Sequence, residues 1–130
     1  MAYFEISELV GQTFTKIVKC TIDNNDALIF FSTGLCFMFT HEQECCESVS
    51  IEDINGDLND LINTPIIKAE EVTNEGETDY EHSETWTFYK FATKKGYVTI
   101  RWYGTSNGYY SEKVDMYKIS EEKANRIINS

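Results

Sequence analysis

The sequence predicts an α+β fold, a curved antiparallel sheet of about six to seven strands with two or three short helices. Three observations carry that expectation. Runs rich in β-branched and aromatic residues recur along the chain, tight-turn signals separate most of them, and only a few segments show helical spacing. At 130 residues there is room for one core, so residues 1–130 read as a single domain. An apolar fraction of 42% with 14% aromatics supplies that core, despite a net charge of −11.

The elements follow in order. Phe4, Ile6 and Leu9 lie near one face and stop at Gly11, which suits a short helix or turn. "TFTKIVKCTI" (13–22) reads as a strand that ends at the turn signal "DNND". "ALIFF" and "LCFMF", separated by "STG", read as a hairpin. Their nearly continuous apolar runs imply central strands covered on both faces. "SIEDINGDLNDLIN" places Ile51, Ile54, Leu58, Leu61 and Ile62 at helical spacing behind Ser50, and predicts an amphipathic helix that Gly56 weakens by roughly 1 kcal/mol. The EF-hand resemblance of "DINGDLND" fails for want of a glutamate at the twelfth loop position.

Pro65 ends that helix and opens the strand "IIKAEEV". "TNEGETDYEHSE" (73–84) is read as a polar, acidic loop and the best candidate for a mobile segment. "TWTFYKFAT" and "YVTIRWYGT" flank "KKG" as a second hairpin, with Trp86 and Phe88 on one face and Val98, Ile100 and Trp102 on one face of its mate. "KVDMYKI" is the last strand, and Ser120 caps a short terminal helix.

Charge narrows the function. Fourteen acidic residues fall between Glu42 and Glu84, against Lys68 alone. A general nucleic-acid binder needs cations to displace counterions from phosphates, so direct nucleic-acid binding is excluded and a charged partner is expected to be basic. The six acids picked as partner-binding are Glu52, Asp53, Asp57, Asp60, Glu70 and Glu71. No run reaches the roughly 18–20 apolar residues of a membrane helix, and the first residues lack signal-peptide features. A cytosolic protein with no membrane partner is expected. Cys20, Cys36, Cys45 and Cys46 are therefore expected as thiols, with a vicinal Cys45–Cys46 bridge disfavoured by its tight ring.

The stretch "HEQECCES" (41–48) concentrates the chemistry. His41, Cys45 and Cys46 supply three of the four ligands a structural zinc needs, with the fourth to come from His82 or from a carboxylate such as Glu44, Asp53 or Glu71. The bland alternative buries a cysteine as a small hydrophobe while His41 tips a strand. Cysteine catalysis is disfavoured because the surrounding carboxylates raise a thiol's pKa. Around Asn107 and Gly108, Trp102, Tyr103, Tyr109 and Tyr110 form either a recognition surface or ordinary hairpin chemistry. No phosphate loop, carboxylate pair or nucleophile elbow occurs, so no catalytic residue is assigned.

The segments "HEQECCESVSIEDINGDLNDLI", "ETWTFYKFAT" and "VTIRWYGTSNGYYSE" resemble a small family of uncharacterised domains encoded by bacteriophages and prophages, over most of residues 9–116. The resemblance extends to zinc-binding type II anti-CRISPR proteins. It implies a structural Zn2+ at His41, Cys45 and Cys46, and a non-enzymatic inhibitor in the host bacterial cytoplasm that acts as a DNA mimic. Its acidic surface would block DNA loading into the basic channel of a CRISPR effector nuclease. Two rivals remain: a phage accessory or virion protein–protein interaction module with a structural zinc, and a zinc hydrolase using Glu44 as base.

Overall fold

Two-residue turns build the first layer. Asp23 and Asn24 both take positive φ, 50° and 69°, the mirror-image turn whose twist matches the strands it joins. It links β2 (Lys16–Ile22) to β3 (Asn25–Ser32), with Ile22 opposite Asn25. Thr33 and Gly34 then connect β3 to β4 (Leu35–Thr40), with Ser32 opposite Leu35. The computed structural model describes residues 2–79 and 82–129; among these the chain forms nine strands in two antiparallel sheets, one α-helix and two 3-10 turns.

The five-stranded sheet runs in the order β1 (Ala2–Tyr3), β9 (Asp115–Ser120), β4, β3, β2. The four-stranded sheet runs β5 (Ser48–Asn55), β8 (Gly96–Ser106), β7 (His82–Thr93), β6 (Lys68–Asp79). The two sheets pack face to face. Phe39 meets Tyr89 at 4.9 Å between ring centroids and Phe30 meets Phe91 at 5.4 Å. The helix α1 (Glu121–Ile128), N-capped by Ser120, covers the other side of the five-stranded sheet over Ile29, Phe31, Cys36 and Met38. The apolar runs of β3 and β4 are thus buried on both faces, as their composition implied.

The antiparallel, α+β-like character is as expected; the single curved sheet of about six to seven strands is not. The main reason lies in residues 48–62, where a helix was expected and β5 followed by a 3-10 turn at Leu58–Leu61 is found. Ile51 pairs with Trp102, Asp53 with Arg101 and Ile54 with Ile100, so an extra residue sits at Glu52. This bulge returns Ile54 to the core face occupied by Val49 and Ile51. A strand with one inserted residue shows apolar side chains three apart, which is also a helical spacing. Leu58 and the fully buried Leu61 then close one end of the sandwich.

The expected acidic loop 73–84 is also different. It forms the outer arms of the β6–β7 hairpin, with Thr73 opposite Thr87 and Glu75 opposite Thr85, while residues 80 and 81 lie outside the described residues. Both faces of these arms are polar, so no apolar alternation marked them as strands. The hairpin of β7 and β8 is as expected, but its core face carries Tyr89 and Phe91, while Trp86 and Phe88 lie on the outer face, half-buried.

Candidate functional site

The segment 41–48 carries the chain from one sheet to the other and wraps around a carboxylate. Glu47 is buried, and its Oε1 accepts the backbone N–H of Glu44 at 2.7 Å and of Cys45 at 3.2 Å. Gln43 reinforces the loop by donating from Nε2 to the backbone oxygens of Cys45 and Glu47. His41, also buried, places Nδ1 2.7 Å from Lys113 O; a carbonyl only accepts, so Nδ1 carries a proton. Its Nε2 lies 3.6 Å from Glu47 Oε1, too far for a hydrogen bond. Burial alone would raise the Glu47 pKa, but the two amides and His41 outweigh it and hold the carboxyl below its ordinary value.

Cys45 and Cys46 are exposed and joined to each other by a disulfide. This corrects the expectation of free thiols there, while Cys20 and Cys36 are free as expected. Burial, with the Glu121 charge adding to it, pushes the Cys36 thiol up to about 11, which keeps it unreactive. Both imidazole nitrogens face protein oxygens, both sulfurs are consumed by their mutual bond, and no group of three or more metal-binding side chains occurs among the described residues. His41, Cys45 and Cys46 as placed do not fit a zinc ion. Of the suggested fourth ligands, Glu44 stays in the loop, Asp53 and Glu71 sit on opposite edge strands, and His82 opens β7.

The six acids chosen from the sequence divide between regions. Glu52 and Asp53 lie at the β5 bulge, Asp57 and Asp60 flank or occupy the 3-10 turn, and Glu70 and Glu71 lie on β6, the far edge of the same sheet. Two are partly neutralised. Arg101 Nε approaches Glu52 Oε1 at 2.7 Å, an ion pair whose angle falls short of a hydrogen bond, and Lys68 stands 3.6 Å from Glu70. Glu71 differs from Glu70 because alternation turns it to the inner side of the sheet.

There it borders a cleft of about 640 Å3 between the long hairpin and the segment 110–114. Its floor is the inner side of β6 and β7, including Glu71, Thr73, Glu75, Ser83, Thr85 and Thr87. The wall is built by Tyr110, Glu112, Lys113 and Val114. Gly104 on β8 lets this wall approach: a Cβ there would lie 2.9 Å from Glu112 O and 3.1 Å from Val49 Cγ2. Glu112 anchors it, one carboxylate oxygen accepting from Thr85 at 2.7 Å and the other from Ser83 and Ser106. Burial acts to raise the Glu112 pKa, yet the three hydroxyls outweigh it and keep the group lowered.

The predicted aromatic group around Asn107 disperses. Trp102 is core, Tyr103 stacks on Trp86 at 5.2 Å on the outer face, and Tyr109 is 84% exposed beside Tyr110. A hydrogen bond to Glu84, then burial, pushes the Tyr103 phenol up to about 12. Sequence reasoning missed Glu47 and Glu112 as organisers: Glu47 acts by turning inward beneath the amides of its own loop, and Glu112 through hydroxyls on neighbouring strands.

Fold and cleft together define a small antiparallel sandwich with one covering helix, which displays an acid-lined cleft on a projecting hairpin. The chain belongs to a family described as a domain of unknown function, DUF7448, whose model matches residues 7–116. Neither a curated protein nor a solved structure matches it. The expected membership of an uncharacterised domain family is therefore met over nearly the expected span. No helix among the described residues is long and apolar enough to cross a membrane.

Proposed function

We propose that this chain is a non-enzymatic binding module that engages a basic surface of a partner protein through its acidic hairpin. The acid-lined cleft carries this reading: Glu71 and Glu75 border it, Glu112 is held in its wall, and among the described residues Lys113 is the one basic residue of its lining. A net charge of −11 adds long-range attraction for a cationic partner. The resemblance to phage-encoded domains directs the choice of partner toward a type II CRISPR effector nuclease in the host bacterial cytoplasm. Such an enzyme holds its heteroduplex in a positively charged channel, so an acidic module seated there blocks DNA loading. Asp53, Asp57 and Asp60 would extend the contact beyond the cleft, while Glu52 and Glu70 are already engaged by Arg101 and Lys68.

Co-elution with purified type II nucleases at low and high salt tests this reading. A complex that forms at low salt, weakens at high salt and excludes target DNA is expected; no complex at any ionic strength overturns it. A phage accessory or virion interaction module is the second reading. It is favoured by the outer face of the four-stranded sheet, where the Trp86–Tyr103 stack adjoins Phe88 and the 37% exposed Val72. Sedimentation showing self-association, abolished by Val72→Glu, would support that reading instead.

A further inference from the structure

We propose that the Cys45–Cys46 bond is a reversible two-electron switch, opened by a dithiol reductant, whose state sets the order of the connector between the two sheets. The switch does not depend on which partner the acidic cleft takes. The bond lies at the surface: both of its cysteines are exposed, whereas Cys36 is buried and Cys20 half-buried. Exposed disulfides are the ones a reductant reaches. The bond is also a poor staple. A cross-link stabilises a fold mainly by restricting the unfolded chain, and the effect shrinks with the length of the loop it closes, so between neighbours in sequence it is at its smallest. What this bond restricts is the peptide unit between residues 45 and 46, which is itself part of the ring.

That peptide unit sits where the connector is organised. Its carbonyl, Cys45 O, accepts from Gln43 Nε2 at 3.2 Å, and the Cys45 N–H donates to Glu47 Oε1 at 3.2 Å beside the Glu44 N–H at 2.7 Å. Glu47 is buried, so amides that drift away leave a carboxylate without water to replace them. His41 stands 3.6 Å from the same oxygen and donates Nδ1–H to Lys113 O at 2.7 Å, which ties the connector to the wall of the cleft. Opening the ring is a thiol–disulfide exchange. A thiolate of the dithiol attacks one sulfur to form a mixed disulfide, and the other cysteine leaves as a thiolate that takes up a proton. The second thiol of the reductant then displaces the first cysteine, so two electrons and two protons pass to the chain and the reductant departs as its own disulfide. The freed peptide unit regains its torsions, and the Glu44 and Cys45 amides loosen from Glu47.

The test uses the whole isotope-labelled chain without denaturant, oxidised and after dithiothreitol. Phenylarsine oxide, which bridges two adjacent thiols with loss of water, should bind the reduced form and not the oxidised one. Reduction should quicken deuterium exchange at the Glu44 amide at least about tenfold and hasten loss of the His41 Nδ1–H signal. The Thr15 amide, bonded to Phe31 O elsewhere in the fold, should keep its rate, and oxidised dithiothreitol should restore the slow exchange at Glu44. The double variant Cys45→Ser, Cys46→Ser cannot close the ring and should exchange like reduced wild type with or without dithiothreitol. Should that variant not fold, wild type still decides, because its two samples differ only in the reductant. A bond that opens only in denaturant, or a Glu44 rate that is the same in both forms, overturns the switch. Equal quickening at Glu44 and Thr15 also overturns it, since that is general loosening of the fold.

Discussion

Gly104 and Glu112 show how one missing side chain creates a site. The wall of the cleft crosses β8 where there is no Cβ, and a Gly104→Ala change places a methyl carbon within 2.9 Å of Glu112 O. We expect this substitution to cost about 1–3 kcal/mol in denaturant unfolding, as overpacking does, and to loosen the 110–114 segment. Glu47 gives a second prediction. Its pKa is lowered in the folded chain, so its stabilising effect is present above the ordinary value of 4.5 and is lost as pH falls through the lower folded value. Glu112 has the same sign. Denaturant midpoints should therefore fall on acidification below about pH 4.5, and Glu47→Gln should flatten that decline. A third concerns sulfur: thiol titration of unfolded, unreduced protein should count two groups, Cys20 and Cys36, and four after reduction. Four before reduction would contradict the Cys45–Cys46 bond. His41, Cys45 and Cys46 were singled out as zinc ligands, and the sequence could not reveal that Glu47 turns inward and draws the loop amides around itself.

At the scale of elements, the chain was most legible where local rules decide the outcome. The Asp23–Asn24 turn, the Lys94–Lys95 turn between Thr93 and Gly96, and the Ser120 cap all lie where turn and capping chemistry put them. Ser120→Ala should cost about 1 kcal/mol, since its hydroxyl accepts the Lys123 N–H at 3.1 Å, and a shift in melting temperature would register it. The bulge at Glu52 was illegible because its extra residue gives Ile51 and Ile54 a spacing that two structures share. Deleting Glu52 is therefore expected to be tolerated about as well as substituting it. Without it Ile51, Asp53 and Ile54 oppose Trp102, Arg101 and Ile100 in unbroken register and Ile54 stays in the core, so near-ultraviolet circular dichroism should keep its fine structure in the deletion and in Glu52→Ala alike. The outer arms of β6 and β7 were missed for a different reason: cross-strand pairing holds a segment that has almost no apolar face of its own.

For the whole molecule, the sequence indicated how much core existed but not that the strands would divide into two sheets. That division is set at 41–48, where a buried acid and histidine redirect the chain, and by contacts between residues far apart in sequence. The excess of acids was legible as a regional property, but its placement was not. Glu47 is interior, Glu52 and Glu70 are paired, and Glu71 faces a cleft, so a count of carboxylates overstates the free anionic surface. Salt dependence measures what remains: the affinity for a basic partner should decline with ionic strength less steeply than the full charge implies.

The hairpin of β3 and β4 belongs to two interiors at once, touching the opposing sheet through Phe30 and Phe39 and the helix through Ile29 and Met38. Its amides have no route to water short of opening both layers, so they should be the slowest in the chain to exchange with deuterium. Losing Phe30 to alanine, at about 3–5 kcal/mol, should quicken exchange in α1 as much as in β7, although α1 never touches that ring. A molecule bound together through a shared middle yields as a unit, and separate melting of helix and sandwich would be inconsistent with this construction.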